Sequence, residues 1–313
     1  MHGWFGIVEQ TERKQKVTKV QWTITSEYEG MSIRDYLQQV QGVSRRILKA
    51  VKFDGGEISV NGEVQSVRFQ LVSGDQLELR FPPEAIGNGI IPEKMPLSVV
   101  YEDDGVLVID KPAGIATIPS MNQPSGTIAN GVLAYYKQQR IPFTVHVVTR
   151  LDRDTSGLLL IAKHRYSHSL LSRLQREGKV KRHYQAIVEG TLPMNQGTIN
   201  KPIGRKQGSI IERTVTETGK QAITHYHVIQ ETAAHSLVDV NLETGRTHQI
   251  RVHFSYIGHP LVGDDLYGGT SNVIERQALH CYQIEFEHPF TREVMRFNSA
   301  IPEDMNRLIN QNV

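Results

Sequence analysis

The sequence lacks the features by which several protein classes are recognised. It has a single cysteine, Cys281, which excludes an internal disulfide and a cysteine-rich zinc site. No window approaches the run of about 18 apolar residues that a membrane span needs. No apolar run follows a basic start, as it would in a secretion signal. We therefore expect a soluble globular protein of the cytoplasm in which Cys281 is a small buried hydrophobe.

The net charge is too small to identify a partner. The formal charge is +2, from 35 Lys and Arg against 33 Asp and Glu. Local clustering is more informative, because residues 163–182 contain seven Lys and Arg and one acidic residue. Such a segment attracts a phosphate backbone, with an affinity that falls steeply with salt. The alternative is a solvated basic helix face.

Composition and periodicity divide the 313 residues into a small domain and a large one. Residues 1–30 are a polar lead-in with one strand at 20–24. Residues 31–81 show two helices followed by turn-linked strands, and residues 82–94 form a linker rich in Pro and Gly. Residues 95–313 carry further strand and helix patterns. The predicted fold class is α+β.

The small domain contains a basic helix. Ser44 is the predicted cap of this helix, which carries Arg45, Arg46 and Lys49, and the strands after it are joined by Asn-Gly and Gly-Asp turns. The arrangement resembles the RNA-binding module of the fourth small-subunit ribosomal protein, in which this helix faces RNA. The resemblance implies that these four residues contact RNA, although phosphate contacts would not read base identity. The alternative is that the arginines are ordinary surface residues.

The most informative segment runs from residue 146 to residue 163. Two apolar, strand-like runs enclose a polar turn of acidic, basic and hydroxyl side chains with one glycine, which is the pattern of a loop projecting from a sheet. Functional side chains are common on such loops. Because a self-satisfied hairpin turn uses the same residue types, composition does not decide between the two interpretations, and the order of the residues has to.

The order of residues 150–158, hereafter the signature loop, decides in favour of function. Arg-Leu-Asp at 150–152 and Thr-Ser-Gly-Leu at 155–158 resemble the signature of the RluA-type family of RNA pseudouridine synthases. The resemblance implies that Asp152 is the catalytic aspartate. We expect Arg150 to help hold the displaced RNA. The residue before the arginine is usually His in this family and is Thr149 here.

Three further segments match family motifs, so that the resemblance extends from about Leu97 to Pro302. They are Lys-Pro-x-Gly at 111–114, which we interpret as mainly structural, Lys-x-x-Tyr-x-Ala at 181–186, and Gly-Arg-Thr-His-Gln-Ile-Arg at 245–251. The resemblance implies that Tyr184 stacks on the target uracil and that Arg251 is the ion-pair partner of Asp152. Arg182 lies two residues from Tyr184 on the same strand face, and we expect it to contact RNA.

The resemblance implies a catalytic domain with a mixed, mainly antiparallel sheet flanked by helices and loops. Converting uridine to pseudouridine detaches uracil from ribose and rejoins it through carbon, so no cofactor is expected. The target nucleotide has to be flipped out of its stack. Whether Asp152 attacks ribose, attacks the ring or removes a sugar proton stays open. No metal site is predicted, because His225 and His227 share a strand face but lack further ligands at suitable spacing.

RNA is the expected partner, with ribosomal RNA preferred and transfer RNA as the alternative. A hydrolase that pairs Asp152 with Asp154 is a competing hypothesis, but a tight turn seldom separates carboxyl groups by the roughly 5–5.5 Å that a retaining pair needs. A non-catalytic RNA-binding or ribosome-assembly protein is another, although it would have no need of Asp152, Tyr184 and Arg251 together. No feature indicates an obligate protein partner, so we expect a monomer.

Overall fold

The computed structural model describes residues 19–84 and 90–310. These residues form two compact units. The small unit comprises residues 19–84 and Tyr135–Phe143, and the large unit comprises residues 90–134 and 144–310. Within the described residues, no helix is both long enough and apolar enough to span a membrane.

The small unit is built on a four-stranded antiparallel sheet with the strand order β1-β4-β2-β3. Its elements are β1 (Lys19–Thr23), α1 (Ile33–Asp35) with a following π-helical turn (Tyr36–Val40), α2 (Arg45–Phe53), β2 (Glu57–Val60), β3 (Glu63–Val64) and β4 (Gln76–Arg80). β1 pairs with β4 along its whole length. The sheet thus includes a strand that lies before the predicted domain start at residue 31. β1 is a short edge strand that is half exposed. Its apolar pattern is therefore too weak to predict from the sequence that it joins this sheet.

Local sequence explains two features of the small unit. The Ser44 hydroxyl accepts the Ile47 N–H at 3.3 Å and so caps α2, as predicted. β2 and β3 are joined by Asn61-Gly62, both with positive φ (53° and 86°), which is the type I′ hairpin turn that an Asn-Gly pair favours. Capping and turn chemistry are local, so both could be predicted without knowledge of the fold.

The remaining elements continue in chain order. They are β5 (Ser98–Glu102), β6 (Val106–Lys111), α3 (Ile128–Gln138), β7 (His146–Val147), β8 (Ser156–Ala162), α4 (Arg165–Arg176), β9 (Lys181–Glu189), β10 (Gln196–Asn200), β11 (Ile203–Arg205), β12 (Arg213–Val215), β13 (Ile223–Glu231), β14 (His235–Leu242), α5 (Gln249–Tyr256), β15 (Leu279–Glu287), β16 (Val294–Asn298) and α6 (Glu303–Asn310). β11 and β12 pair with each other as a separate two-stranded antiparallel sheet.

The other strands of the large unit form one mixed, mainly antiparallel sheet, which confirms the predicted fold class. The order is β10-β13-β14-β9-β15-β8-β6-β5, with β16 paired to β15 and β7 paired to β8. β8 and β15 run parallel. Every residue of β8 is buried, which explains its continuous apolar run. The signature loop leads directly into this central strand and is therefore anchored by the core.

Two helices cover the sheet where it carries the candidate site. α4 buries Leu171 and Leu174 in a cluster with Leu160 of β8, and it ends before Gly178, which has a positive φ of 72°. α5 buries Ile250 and Phe254 in a second cluster that also contains residues of β9 and β14. The second cluster fixes the position of α5 against the sheet.

Candidate active site

One cavity of about 710 Å³ in the large unit collects the site residues predicted for that unit. The signature loop, β9, the end of β14 and the start of α5 form its walls. The predicted residues that line it are Arg150, Asp152, Arg182, Tyr184 and Arg251. Residues far apart in the sequence therefore meet in a concave site large enough for a nucleotide-sized ligand.

Asp152 and Arg251 contact each other in this cavity. Arg251 donates from Nη1 to Oδ2 of Asp152 at 3.3 Å. The Asp152 side chain is 28% exposed, whereas that of Arg251 is 8% exposed. The carboxylate thus faces the cavity while the guanidinium supports it from inside the protein.

The stronger partner of Arg251 is a residue that the sequence analysis did not select. Asp264 accepts two hydrogen bonds from Arg251, from Nε at 2.6 Å and from Nη2 at 2.7 Å. The Tyr267 ring lies against the same guanidinium, with its centroid 4.9 Å from Cζ. Burial alone would lower the pKa of Arg251, but the hydrogen bonds and charge of Asp264, and then the charge of Asp152, raise it above its ordinary value. Arg251 is therefore a fixed cation.

His248 also approaches Asp152. Its Nε2 lies 3.8 Å from Oδ2 of Asp152, just beyond hydrogen-bond distance, and its Nδ1 lies 2.8 Å from the Tyr267 hydroxyl. Burial lowers the pKa of His248, against the opposing charge of Asp152. His248 occupies the cap position of α5 with a left-handed φ of 58° and makes no side-chain cap hydrogen bond. The chain therefore enters α5 through this left-handed residue.

The backbone on both sides of Asp152 is held by buried side chains. Thr117 donates its hydroxyl proton to the Leu151 carbonyl at 2.7 Å and accepts the Leu151 N–H at 3.2 Å. Lys111 donates from Nζ to three carbonyls at 2.8 Å, one of which belongs to Arg153. Burial lowers the pKa of Lys111 to about 8, with the charges of Asp154 and Asp152 opposing the shift. These contacts agree with the structural role expected for the Lys-Pro motif.

The glycine of the signature loop is required by a close approach of two strands. Gly157 has a φ of 111°, and a Cβ built on it would lie 2.2 Å from the Cys281 carbonyl oxygen. Gly157 and Cys281 are partners where β8 meets β15, so no larger residue fits. Thr149 is buried and accepts the Leu160 N–H at 2.9 Å. The position that is usually His in the family therefore also serves local folding here.

Tyr184 forms a wall of the cavity. It is 4% exposed and packs in a cluster with Leu151 and Ile250, and its hydroxyl accepts a hydrogen bond from Arg182 at 3.3 Å. Burial raises the pKa of Tyr184, so the hydroxyl stays protonated at neutral pH. Arg182 in turn lies close to Gly245, where an added Cβ would approach its Nη2 to 2.8 Å. The position of this arginine depends on the small residue beside it.

The predicted RNA contacts outside this cavity lie on the surface. Ser44, Arg45, Arg46 and Lys49 are all exposed on α2 of the small unit. The basic segment 163–182 is less basic at the surface than its composition predicts. Lys163 is buried and paired with Glu102, and Lys181 is paired with Glu285 on the neighbouring strand. Both acidic partners are distant in the sequence and are brought close by the sheet.

The geometry does not favour the alternative chemistries. Asp154 is paired with Arg153 at 3.0 Å and lines a different cavity, of about 510 Å³, which argues against Asp152 and Asp154 as a hydrolytic pair. His225 contacts Thr198 and Glu243. No group of three or more His, Cys, Asp or Glu side chains within residues 19–84 and 90–310 could hold a metal ion.

Comparison with known proteins identifies the family of this chain. The sequence model of a family described as RNA pseudouridylate synthase matches residues 105–256. The uncharacterized RNA pseudouridine synthase YjbO of Bacillus subtilis (strain 168) is 50% identical over 279 residues, which cover 89% of this chain and 98% of that protein. The chain belongs to the RluA-like family of RNA pseudouridine synthases.

This RNA pseudouridine synthase is also similar to a relative with a more specific name and to a solved structure. The ribosomal large subunit pseudouridine synthase D of Pseudomonas aeruginosa is 40% identical over 263 residues, covering 80% of this chain and 82% of that protein. The structure of human RNA pseudouridylate synthase domain containing 1 superposes with a TM-score of 0.56 at 25% identity, over 69% of this chain and 87% of that chain. As a family member, the protein is an isomerase that converts uridine to pseudouridine in RNA.

Sequence reasoning missed three residues of the site, Asp264, Tyr267 and His248. His248 lies inside a motif but was not singled out. The other two belong to a loop after α5, beyond the family match, whose visible signal is the glycines that flank the acidic and aromatic residues at 263–269. A buried carboxylate in a glycine-rich loop cannot be distinguished from a surface turn until the fold brings its partner beside it.

Proposed function

We propose that this RNA pseudouridine synthase isomerises specific uridines of ribosomal RNA through Asp152, with the target nucleotide flipped into the 710 Å³ cavity. The observation that carries the proposal is the half-buried Asp152 carboxylate on the cavity wall, 3.3 Å from a buried guanidinium. A flipped base would reach the Asp152 carboxylate from the open side of the cavity. No step of the isomerisation needs an added cofactor.

The remaining side chains of the cavity have complementary roles in this proposal. Asp152 acts as the nucleophile or base, and Arg251 orients it. Tyr184 offers an aromatic ring and a protonated hydroxyl to the flipped uracil, and stacking on such a ring contributes about 1–3 kcal/mol. Arg150, exposed at the cavity, and Arg182 bind phosphates or displaced bases. A flipped nucleotide meets both an apolar surface and positive charge.

Ribosomal RNA is the preferred substrate because several relatives carry the name ribosomal large subunit pseudouridine synthase D. The exposed cations of α2 suit the phosphate backbone of any RNA. We propose that residues 31–81, to whose sheet β1 adds a strand, form an RNA-binding domain like that of the fourth small-subunit ribosomal protein. Residues 82–94 are proposed as a linker and residues 95–313 as the catalytic domain. Transfer RNA is the alternative substrate. The monomeric state and cytoplasmic location stay predictions.

Tritium release from RNA labelled at uracil C5 tests the proposal, because C5 loses its hydrogen when it becomes the glycosidic atom. Wild type and Asp152→Asn are compared on transcripts of large-subunit ribosomal RNA and of transfer RNA. We expect release from ribosomal RNA by wild type and none by the variant. Equal tritium release by wild type and Asp152→Asn would reject the catalytic role of Asp152. Release from transfer RNA alone would show that transfer RNA, and not ribosomal RNA, is the substrate. Free uracil among the products would indicate a hydrolase. Binding without release would favour the non-catalytic alternative.

A further inference from the structure

The loop between α5 and β15 is held in one conformation by close backbone contacts. A Cβ built on Gly263 would lie 2.0 Å from the Arg276 carbonyl oxygen, and one built on Gly269 would lie 2.0 Å from the Leu261 carbonyl oxygen. The Gly269 N–H donates to the Asp264 carbonyl at 2.8 Å. Since only glycine fits at both ends, the loop fixes the backbone position of Asp264.

The Asp264 side chain is fully buried and directed at one group. Its carboxylate is 0% exposed, and both of its oxygens accept hydrogen bonds from Arg251, at 2.6 and 2.7 Å. A buried carboxylate is costly unless it is paired and hydrogen-bonded. The loop and the arginine therefore hold each other in place.

Only one nitrogen of the Arg251 guanidinium contacts Asp152. Asp264 occupies Nε and Nη2, the Tyr267 ring covers one face of the guanidinium, and Nη1 alone faces Asp152. Two carboxylates therefore share one guanidinium. Oδ1 of Asp152 has no hydrogen-bond partner among the residues that the structure describes, and the Asp152 side chain is 28% exposed on the cavity wall.

We propose that Asp264 is a positioning residue for the reaction, which fixes Arg251 so that a single N–H orients Asp152 and leaves the rest of this carboxylate accessible. Tyr267 supports the same orientation from the face of the guanidinium. This inference rests on the proposed role of Asp152. Without Asp264 the guanidinium would turn to form a two-point ion pair with Asp152, which would cover both oxygens that the nucleotide has to reach.

Single-turnover kinetics with enzyme in excess over labelled RNA test the proposal. The plateau rate at saturating enzyme reports the chemical step. Partial unfolding changes only the half-saturation, which is the enzyme concentration that gives half of the plateau rate. Asp264→Asn is compared with Asp265→Asn, a matched change at the adjacent, exposed carboxylate. We expect the plateau to fall about 100-fold in Asp264→Asn with little change in half-saturation, and neither quantity to change in Asp265→Asn.

A plateau rate within about threefold of wild type, or a change confined to half-saturation, would overturn the proposal. If Asp264→Asn does not fold, Tyr267→Leu tests the same claim, because the Tyr267 ring lies against the Arg251 guanidinium. The plateau rate of this variant should fall about tenfold. An unchanged plateau rate would contradict the proposal. Asp152→Asn is measured in the same assay. An inactive Asp152→Asn beside an active Asp264→Asn rejects this inference alone, whereas an active Asp152→Asn rejects the proposed function.

Discussion

The cavity of the large unit and helix α2 of the small unit hold their positive charge in opposite ways. Arg251 is buried, bonded to two carboxylates and covered by an aromatic ring. Arg45, Arg46 and Lys49 are exposed, and none has an ion-pair partner among the residues that the structure describes.

This difference separates two functions of charge in an RNA-modifying enzyme. A buried, hydrogen-bonded guanidinium acts at one fixed distance on one atom and is little affected by salt. Exposed cations on flexible side chains attract any phosphate backbone and are strongly screened. Changes at Asp152 and Arg251 should therefore alter the rate of the chemical step, and changes on α2 should alter affinity.

Of the changes considered, replacing Arg251 should have the largest effect on the rate of the chemical step. In Arg251→Met the plateau rate should fall about 100- to 1000-fold, because Asp152 loses its orienting charge. The free energy of unfolding should fall by about 3–5 kcal/mol, because Asp264 is left buried and unpaired. Single-turnover kinetics and urea denaturation measure the two effects.

Arg296→Met is the matched control for that change. Arg296 pairs with Glu285 at the surface, and removing an exposed ion pair should cost less than about 1 kcal/mol without changing the rate. If Arg251→Met were no more harmful than this control, the buried cation would have no role beyond that of a surface charge.

Loss of the Thr117 hydroxyl should have an intermediate effect. Thr117→Val keeps the shape of the side chain but leaves the N–H and carbonyl of Leu151 without this partner. The unfolding free energy should fall by about 1–3 kcal/mol, and the plateau rate should fall about tenfold as the Asp152 backbone loosens. Thr117→Ser retains the hydroxyl and should restore the rate. A wild-type plateau in Thr117→Val would show that the loop is held by other contacts.

Neutralising α2 should have the smallest effect on the chemical step. The triple change of Arg45, Arg46 and Lys49 to Gln should raise the half-saturating concentration about fivefold and reduce the slope of log affinity against log salt by about 2 to 3. The plateau rate should stay unchanged. Arg68→Gln, an exposed cation outside α2, is the control. An unchanged salt slope would contradict the proposed RNA contact.

Much of the fold could be predicted because its determinants are local. The Ser44 cap, the Asn61-Gly62 turn and the end of α4 before Gly178 depend on a few neighbouring residues. The residues that line the cavity were predicted only through the family resemblance, since no periodicity links Asp152 to Arg251, 99 residues later.

The features that were missed depend on contacts that the fold creates. Asp264 is 13 residues from Arg251, in a loop whose composition is that of an ordinary turn. Lys163 contributes to the basic segment in the sequence but is buried against Glu102, 61 residues away. In both cases the residue type indicates a charge, and only the tertiary structure shows whether that charge is available to a ligand.

The central claim is that Asp152 performs the chemistry while binding of RNA depends on other residues. Single-turnover pseudouridine formation by Asp152→Asn, with half-saturation measured on the same RNA, tests it most directly. We predict no detectable product at saturating enzyme, with RNA affinity and folding equal to those of wild type. Pseudouridine formation at the wild-type rate by this variant would contradict the claim.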